Sequence, residues 1–177
     1  MSLVEQDKLM QTIYIGIGTN LGDRLRNLEK ALELIKEYAS VEKISSIYET
    51  PPFGFEASTN FYNIVIQVQS HLCPESLLQA NQQTELALGR IYHNDGKYHS
   101  RVIDLDILLF EDLVFEKENL KIPHPHISKR NFVLLPLLEI APEISVPGNN
   151  NLMYREFLDS SMHASINKVE NRALIPY

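Results

Sequence analysis

Cysteine and long apolar runs are what this sequence has least of. Of its 177 residues only Cys73 is a cysteine, which excludes an internal disulfide framework and suits a reducing compartment. No stretch approaches the ~18 consecutive apolar residues of a membrane span. The start, Met-Ser-Leu-Val-Glu-Gln-Asp, lacks the apolar segment of a signal peptide. We therefore expect a cytoplasmic protein that does not cross a membrane.

Basic residues are also in the minority. Lysine and arginine number 16 against 23 aspartates and glutamates, so the formal net charge at pH 7 is −7. This charge argues against non-specific binding of nucleic acid but not against a nucleotide ligand, for which only local positive charge matters. With 44% hydrophobic and 22% charged residues the chain has an ordinary globular composition. We expect a monomer with one domain over 12–177, after a disordered extension over 1–11.

Hydrophobic periodicity predicts alternating strands and helices. Residues with period-two alternation predict strands, and apolar residues three or four apart predict amphipathic helices. The predicted strands are 12–17, 44–49, 61–69 and the run 101–110, and the predicted helices are 21–38, capped by Asn20, and 74–89. The order βαββαβ is that of a ferredoxin-like α+β core, a mainly antiparallel sheet with both helices on one face. A C-terminal hairpin at 113–122, an apolar segment at 131–140 and a short helix near 154–159 should follow.

Two carboxylates interrupt the apolar run Arg101-Val-Ile-Asp-Leu-Asp-Ile-Leu-Leu-Phe110. On a strand, Asp104 and Asp106 point to the same face, where burying unpaired charges is costly. A hard divalent cation such as Mg²⁺, which takes oxygen ligands and is commonly shared with phosphates, would neutralise them. From periodicity alone, a strand with one solvated face is an equal alternative. Arg101 has the opposite parity, so only twist or a loop would aim it at the same site.

A polar loop follows the second predicted helix and is bracketed by Arg90 and Arg101. Guanidinium groups bind phosphate in a bidentate manner, so two arginines beside a carboxylate pair favour a polyphosphate ligand. His124, in Pro123-His-Pro-His126, is either a donor to phosphate or a plain turn residue. Its surroundings do not provide the further His or Cys ligands that zinc requires.

The glycine-rich segment Gly16-Ile-Gly18-Thr-Asn-Leu-Gly22 follows a strand and precedes a helix, as in dinucleotide-binding folds. Its third glycine comes one residue late for G-x-G-x-x-G, and no parallel, doubly wound pattern follows. A tight strand-to-helix turn is the better interpretation. No G-x-x-x-x-G-K-[ST] occurs, which excludes a P-loop kinase.

Two pairs of residues have both a structural and a functional interpretation. Phe61 and Asn63 share a face of the third strand, where a ring and an amide would stack on a flat heterocycle and read its edge. A cross-strand hydrogen bond is the alternative for Asn63. Gln82 and Glu85 lie on the apolar stripe of the second helix, either at its solvated edge or in contact with a ligand.

Seven segments, in this order, resemble the 6-hydroxymethyl-7,8-dihydropterin pyrophosphokinase family of folate biosynthesis. They are Ile15-Gly-Ile-Gly-Thr-Asn-Leu-Gly22, Ser45-Ser-Ile-Tyr-Glu-Thr-Pro-Pro52, Phe61-Tyr-Asn63, Glu85-Leu-Ala-Leu-Gly-Arg90, the run 101–110, Ile122-Pro-His124 and Arg130-Asn-Phe132. The resemblance covers roughly residues 12–147. It implies a ferredoxin-like fold and an enzyme that transfers pyrophosphate from ATP to the hydroxymethyl group of the dihydropterin, with release of AMP.

The resemblance also implies a role for each matching residue. Two Mg²⁺ ions on the triphosphate would be bound by Asp104 and Asp106, beside the phosphate-binding catalytic residues Arg90 and Arg101. Further contacts to ATP would come from Gln82, Glu85, Ile107, His124 and Arg130. The pterin pocket would consist of Thr50, Phe53, Phe61, Asn63 and Phe132. Within it, the pterin ring would stack between Phe61 and Phe132.

The 90–101 loop departs from better-known members of this family. Tyr92 and Tyr98 stand where some members have an Arg and a Trp, and Pro125 stands where an aromatic residue can occur. Two other classes stay open here. One is a regulatory ligand-binding module, since this fold hosts many functions. The other is a nicotinamide-dependent enzyme, which rests only on the imperfect glycine pattern.

Overall fold

The protein is described here from a computed structural model, which covers residues 9–159 and 165–169. In chain order its elements are β1 (Gln11–Thr19), α1 (Arg24–Ile35), β2 (Ser40–Ile44), β3 (Tyr48–Thr50), β4 (Phe61–Ser70), α2 (Pro74–Ala87), β5 (Asp104–Phe110), β6 (Phe115–Lys117), β7 (Leu120–Ile122), α3 (Asn131–Ile140), β8 (Ser145–Val146), β9 (Asn149–Met153) and β10 (Asn167–Lys168). Two 3₁₀ turns, Ile127–Lys129 and Tyr154–Phe157, flank α3.

One antiparallel sheet forms the centre of the described fold. β1 lies between β4 and β5, and the other edge of β4 pairs with β2 and then with β3. β10 extends the sheet beyond β3. Counting β2 and β3 as one interrupted strand, the order across the sheet is second, third, first, fourth. This arrangement confirms the predicted ferredoxin-like α+β class and excludes the parallel, doubly wound sheet of nicotinamide-binding folds.

Period-two alternation on β1 separates two cores. Ile13, Ile15 and Ile17 face one side, where they pack with Leu28 of α1 and Leu77 of α2. This confirms that both predicted helices share one face. The opposite face is covered by the segment predicted only as apolar, which forms a third helix, α3. Its side chains Leu134 and Leu137 pack on β4 and β5 residues such as Val65 and Leu108.

Local side-chain bonding moves several predicted boundaries. α1 begins at Arg24 because Asp23, and not Asn20, caps it by accepting a hydrogen bond from the Arg26 amide at 3.1 Å. The predicted strand 44–49 is interrupted at Ser45, whose hydroxyl accepts from the Val65 amide at 2.9 Å. The predicted strand at 101–110 begins only at residue 104.

The predicted extension 1–11 lies outside the described residues up to position 8, while Gln11 already belongs to β1. The short helix predicted near 154–159 is a 3₁₀ turn that spans Tyr154–Phe157. None of the helices in the described ranges is long and apolar enough to cross a membrane.

Candidate active site

The acid pair lies opposite the two glycines of β1. Asp104 pairs with Gly18 and Asp106 with Gly16 across the β1–β5 ladder. Both acids line the same open space above the sheet, which the glycines leave free because they carry no side chain. A Cβ atom added to Gly18 would lie 3.1 Å from Asn63 Oδ1, so any larger residue would push the Asn63 side chain out of place.

The two acids have different partners. Asp104 Oδ2 accepts from Arg101 Nη2 at 2.8 Å, and Asp104 Oδ1 accepts a short hydrogen bond from Arg90 Nη1. Among the described residues no hydrogen bond or ion pair reaches the Asp106 carboxylate. Burial would raise the pKa of Asp104, but Arg101 and Arg90 outweigh it and hold that pKa below its ordinary value. Burial, together with the charge of Asp104, raises the pKa of Asp106 to about 7.

Glu85 holds Arg90 in place from beneath. Its side chain is buried, and Oε1 accepts from Arg90 Nη1 at 2.8 Å and from the Leu105 amide at 2.6 Å. Tyr92 donates a short hydrogen bond to Oε2. Burial raises the pKa of Glu85, although the hydrogen bond from Tyr92 and the charge of Arg90 oppose this shift. Glu85 of α2 is therefore bonded both to Arg90 and to the start of β5, the strand that carries the two acids.

The first of two adjoining cavities is aromatic. Including its open mouth, it has a volume of about 660 Å³. Asn63 lines this cavity, and its Nδ2 donates to Thr50 Oγ1 at 2.8 Å, so the cross-strand hydrogen bond that was the alternative for Asn63 is present. Its walls include the rings of Phe53, Phe55, Phe61 and Phe132.

The second cavity, of about 810 Å³ including its mouth, lies beneath the 90–101 loop. It is lined by polar and basic side chains that include Arg90, Lys97 and His124. Burial, followed by the charge of Arg130, lowers the pKa of His124 to about 4, so its imidazole is neutral at pH 7.

The two cavities share one boundary. Five side chains line both of them: Tyr98, Arg101, Asp104, Asp106 and Arg130. A ligand in the aromatic cavity and a ligand in the basic cavity would therefore meet at the acid pair. This geometry suits group transfer between two bound substrates.

Three predicted nucleotide residues do not line either cavity. Gln82 is exposed on α2. The Ile107 side chain is buried in the core on the face opposite the acids, so only its backbone is available to a ligand. Glu85 is buried behind Arg90, with which it forms an ion pair at 2.8 Å. The other predicted site residues line the two cavities: Thr50, Phe53, Phe61, Asn63, Arg90, Arg101, Asp104, Asp106, His124, Arg130 and Phe132.

Sequence reasoning missed Phe55 and underestimated Tyr98. The Phe55 ring packs edge-on against Phe61, with centroids 6.1 Å apart. Its signal was the repeated aromatic in Phe53-Gly-Phe55. The Tyr98 hydroxyl accepts from Arg130 Nη2 at 3.1 Å, and its ring lies 3.6 Å from the position of a Gly54 Cβ, so Tyr98 contacts the loop across the cleft.

The site offers few protein ligands to a cation. Within the described ranges, no three His, Cys, Asp or Glu side chains come together as a metal centre. Two adjacent carboxylates, one of them without a partner, are a donor set that fits Mg²⁺ when phosphates and water complete its coordination. Arg101 Nε is also buried without a hydrogen-bond partner among the described residues, which leaves a donor beside the acids.

Together, the ferredoxin-like sheet and a site of paired acids and arginines between an aromatic and a basic cavity define a nucleotide-dependent transferase. Comparison with known proteins identifies which one. The model of the 7,8-dihydro-6-hydroxymethylpterin-pyrophosphokinase (HPPK) family matches residues 14–142. The chain belongs to this family.

Curated relatives carry the corresponding name, 2-amino-4-hydroxy-6-hydroxymethyldihydropteridine pyrophosphokinase. The protein from Aquifex aeolicus is 42% identical over 138 residues, which cover 78% of this chain and 85% of the relative. The protein from Bacillus subtilis is 42% identical over 133 residues, covering 74% and 78%. The chain is accordingly a pyrophosphokinase of folate biosynthesis.

Solved structures support the fold. A Plasmodium falciparum HPPK-DHPS triple mutant with pteroate superimposes with a TM-score of 0.71 at 16% identity, covering 94% of this chain and 48% of that chain. The wild type with SDX-DHP gives a TM-score of 0.66 at 19% identity, covering 84% and 44%. This chain spans less than half the length of those proteins, and at such identity the likeness shows the fold alone.

Proposed function

We propose that the acid pair and its two arginines carry out the family reaction at the boundary between the cavities. In this reaction the hydroxymethyl oxygen of 6-hydroxymethyl-7,8-dihydropterin attacks the β-phosphorus of ATP. The bond from the β-phosphorus to the oxygen bridging it to the α-phosphorus breaks, the hydroxyl proton is released, and AMP leaves. The observation that carries the proposal is that Arg101, Asp104 and Asp106 line both cavities at once.

The basic cavity is the proposed ATP site. Arg90 and Arg101 would pair with phosphate oxygens, because the guanidinium fork matches them. Neutral His124 would donate or accept a hydrogen bond without adding charge. Arg130 stands at the boundary and would contact the phosphates from the pterin side. We also propose Gln82, Glu85 and Ile107 as ATP-site residues, Glu85 acting through Arg90 and Ile107 through its backbone.

Asp104 and Asp106 are the proposed ligands of two Mg²⁺ ions that arrive with ATP. When bound, such ions neutralise phosphate charge and stabilise the leaving oxygen. The protein residues do the remaining work. Arg101 and Arg90 offset the charge of Asp104 and orient the phosphates, while the shared boundary keeps the hydroxymethyl group close to them.

The aromatic cavity is the proposed pterin site. The flat ring would stack between Phe61 and Phe132, with Phe53 covering its outer side. Asn63 and Thr50 would exchange their mutual hydrogen bond for bonds to the pterin edge. Donor and acceptor groups on one amide allow this site to reject heterocycles with the wrong hydrogen-bonding pattern.

Three broader features are proposed with the reaction. We propose one domain over 12–177, supported by a sheet that runs from β1 to β10. A monomer is the expected state, to be measured by light scattering. A cytoplasmic location suits an enzyme that consumes ATP.

The reaction is tested by measuring nucleotide products from ATP and 6-hydroxymethyl-7,8-dihydropterin, with and without Mg²⁺. We expect AMP, formed only when the pterin and Mg²⁺ are both present. Release of ADP would indicate transfer of the γ-phosphoryl group and contradict the proposed geometry. No product from folded protein that binds ATP would favour a regulatory module instead.

A further inference from the structure

Asn20, in the glycine-rich turn between β1 and α1, was expected to cap the helix and does not. Asn20 is almost fully buried, with 1% of its surface exposed. Because Asp23 is the cap, the Asn20 side chain is free to bond elsewhere. It points between the two loops that wall the cavities, 51–60 and 91–103.

The first set of contacts reaches the loop that precedes the acid-bearing strand. The side-chain oxygen Oδ1 of Asn20 accepts a hydrogen bond from the backbone amide of Arg101 at 2.8 Å. The backbone amide of Asn20 donates to the Arg101 carbonyl at 3.1 Å. Asn20 Nδ2 donates to Ser100 Oγ at 2.9 Å. Arg101 is therefore held at both of its backbone polar groups, immediately beside the side chain that pairs with Asp104.

The second contact reaches the loop on the pterin side. Asn20 Nδ2 also donates to the Thr59 carbonyl, at a longer distance of 3.4 Å. Next to it, Arg24 Nη1 donates to the Asn60 carbonyl at 2.9 Å. The turn and the first residue of α1 thus fasten the end of the loop that carries Phe53 and Phe55.

We propose that Asn20 is a positioning residue for the transfer reaction, which joins the two cavity loops and holds the Arg101 backbone in register with the acid pair. The inference rests on the proposed function, because it assigns Arg101 to the phosphates. On this proposal the glycine-rich segment 16–22 positions the cavity loops and does not bind a dinucleotide.

Asparagine suits this position for a chemical reason. Its amide has one acceptor oxygen and two donor hydrogens, and here all three are used by groups on different loops. A carboxylate would keep the acceptor but lose both donors. An alanine would leave the Arg101 amide, Ser100 and Thr59 without this partner.

The first test compares Asn20→Ala with Asn27→Ala. Asn27 is a matched control because its side chain also has three hydrogen-bond partners. Its Nδ2 lies within hydrogen-bond distance of Thr19 Oγ1, the Leu21 carbonyl and the Val102 carbonyl, so it reaches the 91–103 loop but not the 51–60 loop. We expect kcat to fall roughly 10- to 100-fold in Asn20→Ala, as for a misplaced reacting group. In Asn27→Ala we expect kcat to fall by no more than about 3-fold at a comparable loss of thermal stability, because each lost hydrogen bond has a modest net effect and none of them joins the two cavity loops.

The second test separates the two loops and needs no turnover. Trypsin cleavage after Lys97 reports on one loop, and chymotrypsin cleavage after Phe53 reports on the other. In Asn20→Ala both sites should be cut faster while Lys30 in α1 stays protected. In Asn20→Asp the acceptor for Arg101 remains and Ser100 can donate to the carboxylate, so only Phe53 should be cut faster and the KM for pterin should rise.

Equal loss of kcat in the Asn20 and Asn27 variants would overturn the proposal, because the role would then be stability alone. Unchanged cleavage at both loops in Asn20→Ala would overturn it as well. A wild-type protein that forms no AMP would instead defeat the proposed function. The cleavage pattern would still decide whether Asn20 joins the loops.

Discussion

Arg101 Nη2 lies 2.8 Å from Asp104 Oδ2, although strand parity alone would place the two side chains on opposite faces. The contact forms because β5 begins at Asp104, so Arg101 lies in the preceding loop and its side chain is not bound by the alternation of a strand. Asp106, two residues further on, receives no such partner among the described residues. Several predictions about activity and stability depend on this asymmetry.

Removing either carboxylate should stop turnover without unfolding the protein. In Asp104→Ala and in Asp106→Ala we expect AMP release to fall at least roughly 1,000-fold, since several kcal/mol of charge stabilisation would be lost. Asp112→Ala, which changes an exposed acid just after the same strand, should remain active. Circular dichroism would check the fold, and near-normal rates in either acid variant would remove that acid from the mechanism.

Without Mg²⁺, Asp106→Asn should stabilise the protein at pH 8. The folded-state pKa of Asp106 is raised to about 7, so the folded protein binds the proton more tightly than the unfolded chain. Ionisation of Asp106 therefore lowers the free energy of unfolding progressively between about pH 4 and pH 7, and removal of the charge should add roughly 1–3 kcal/mol at pH 8. Denaturant unfolding at pH 4.5 should show a much smaller difference than at pH 8, and a loss of stability at pH 8 would contradict the assigned repulsion.

Arg101→Ala should lower kcat more than it weakens pterin binding. The guanidinium group pairs with Asp104 and lies 5.2 Å from the centre of the Phe61 ring, so a small loss of pterin affinity is also expected. We expect kcat to fall at least roughly 100-fold. Arg155→Ala, which removes an exposed ion pair with Glu143, is the control. A larger change in pterin Kd than in kcat would move Arg101 out of the phosphate site.

Phe132→Leu should raise the KM for the pterin. The Phe132 ring packs 5.8 Å from that of Phe53 at the cavity wall, and losing one stacking partner should cost about 1 kcal/mol, or roughly 5-fold in affinity. The KM for ATP should change little. Phe157→Leu is the matched control, because Phe157 packs on Tyr154 away from the cavities. Equal pterin KM values in the two variants would argue against stacking on Phe132.

His124→Asn should remove a pH-dependent loss of stability. Burial lowers the folded-state pKa of His124 to about 4, so the unfolded chain binds more protons between pH 4 and 6.5. The wild type should therefore lose about 2 kcal/mol from this group as pH falls from 8 to 5, and the variant should not. Urea unfolding of both proteins at the two pH values measures the difference. Parallel curves would show that the imidazole is solvated.

Side-chain periodicity predicted the framework of the site but not its contacts. The same-face placement of Asp104 and Asp106 depends only on the period of two, which holds wherever a strand forms. Phe61 and Asn63 follow the same rule on β4. Glu85 shows where the rule ends: its helical stripe is compatible with ligand contact, yet the helix buries it behind Arg90. Burial depends on what packs above a helix, and a local pattern does not contain that information.

The order of strands and helices, the acid pair on one face and, through the motifs, the family could be predicted from the amino-acid sequence. Three features emerge only in the folded chain: α3 covers the second face of the sheet, Asn20 bonds to Ser100 and Arg101 and does not cap α1, and two cavities meet at the acids. Periodicity is a property of neighbouring residues, whereas Asn20 and Arg101 are 81 positions apart and meet only once β1 and β5 have paired.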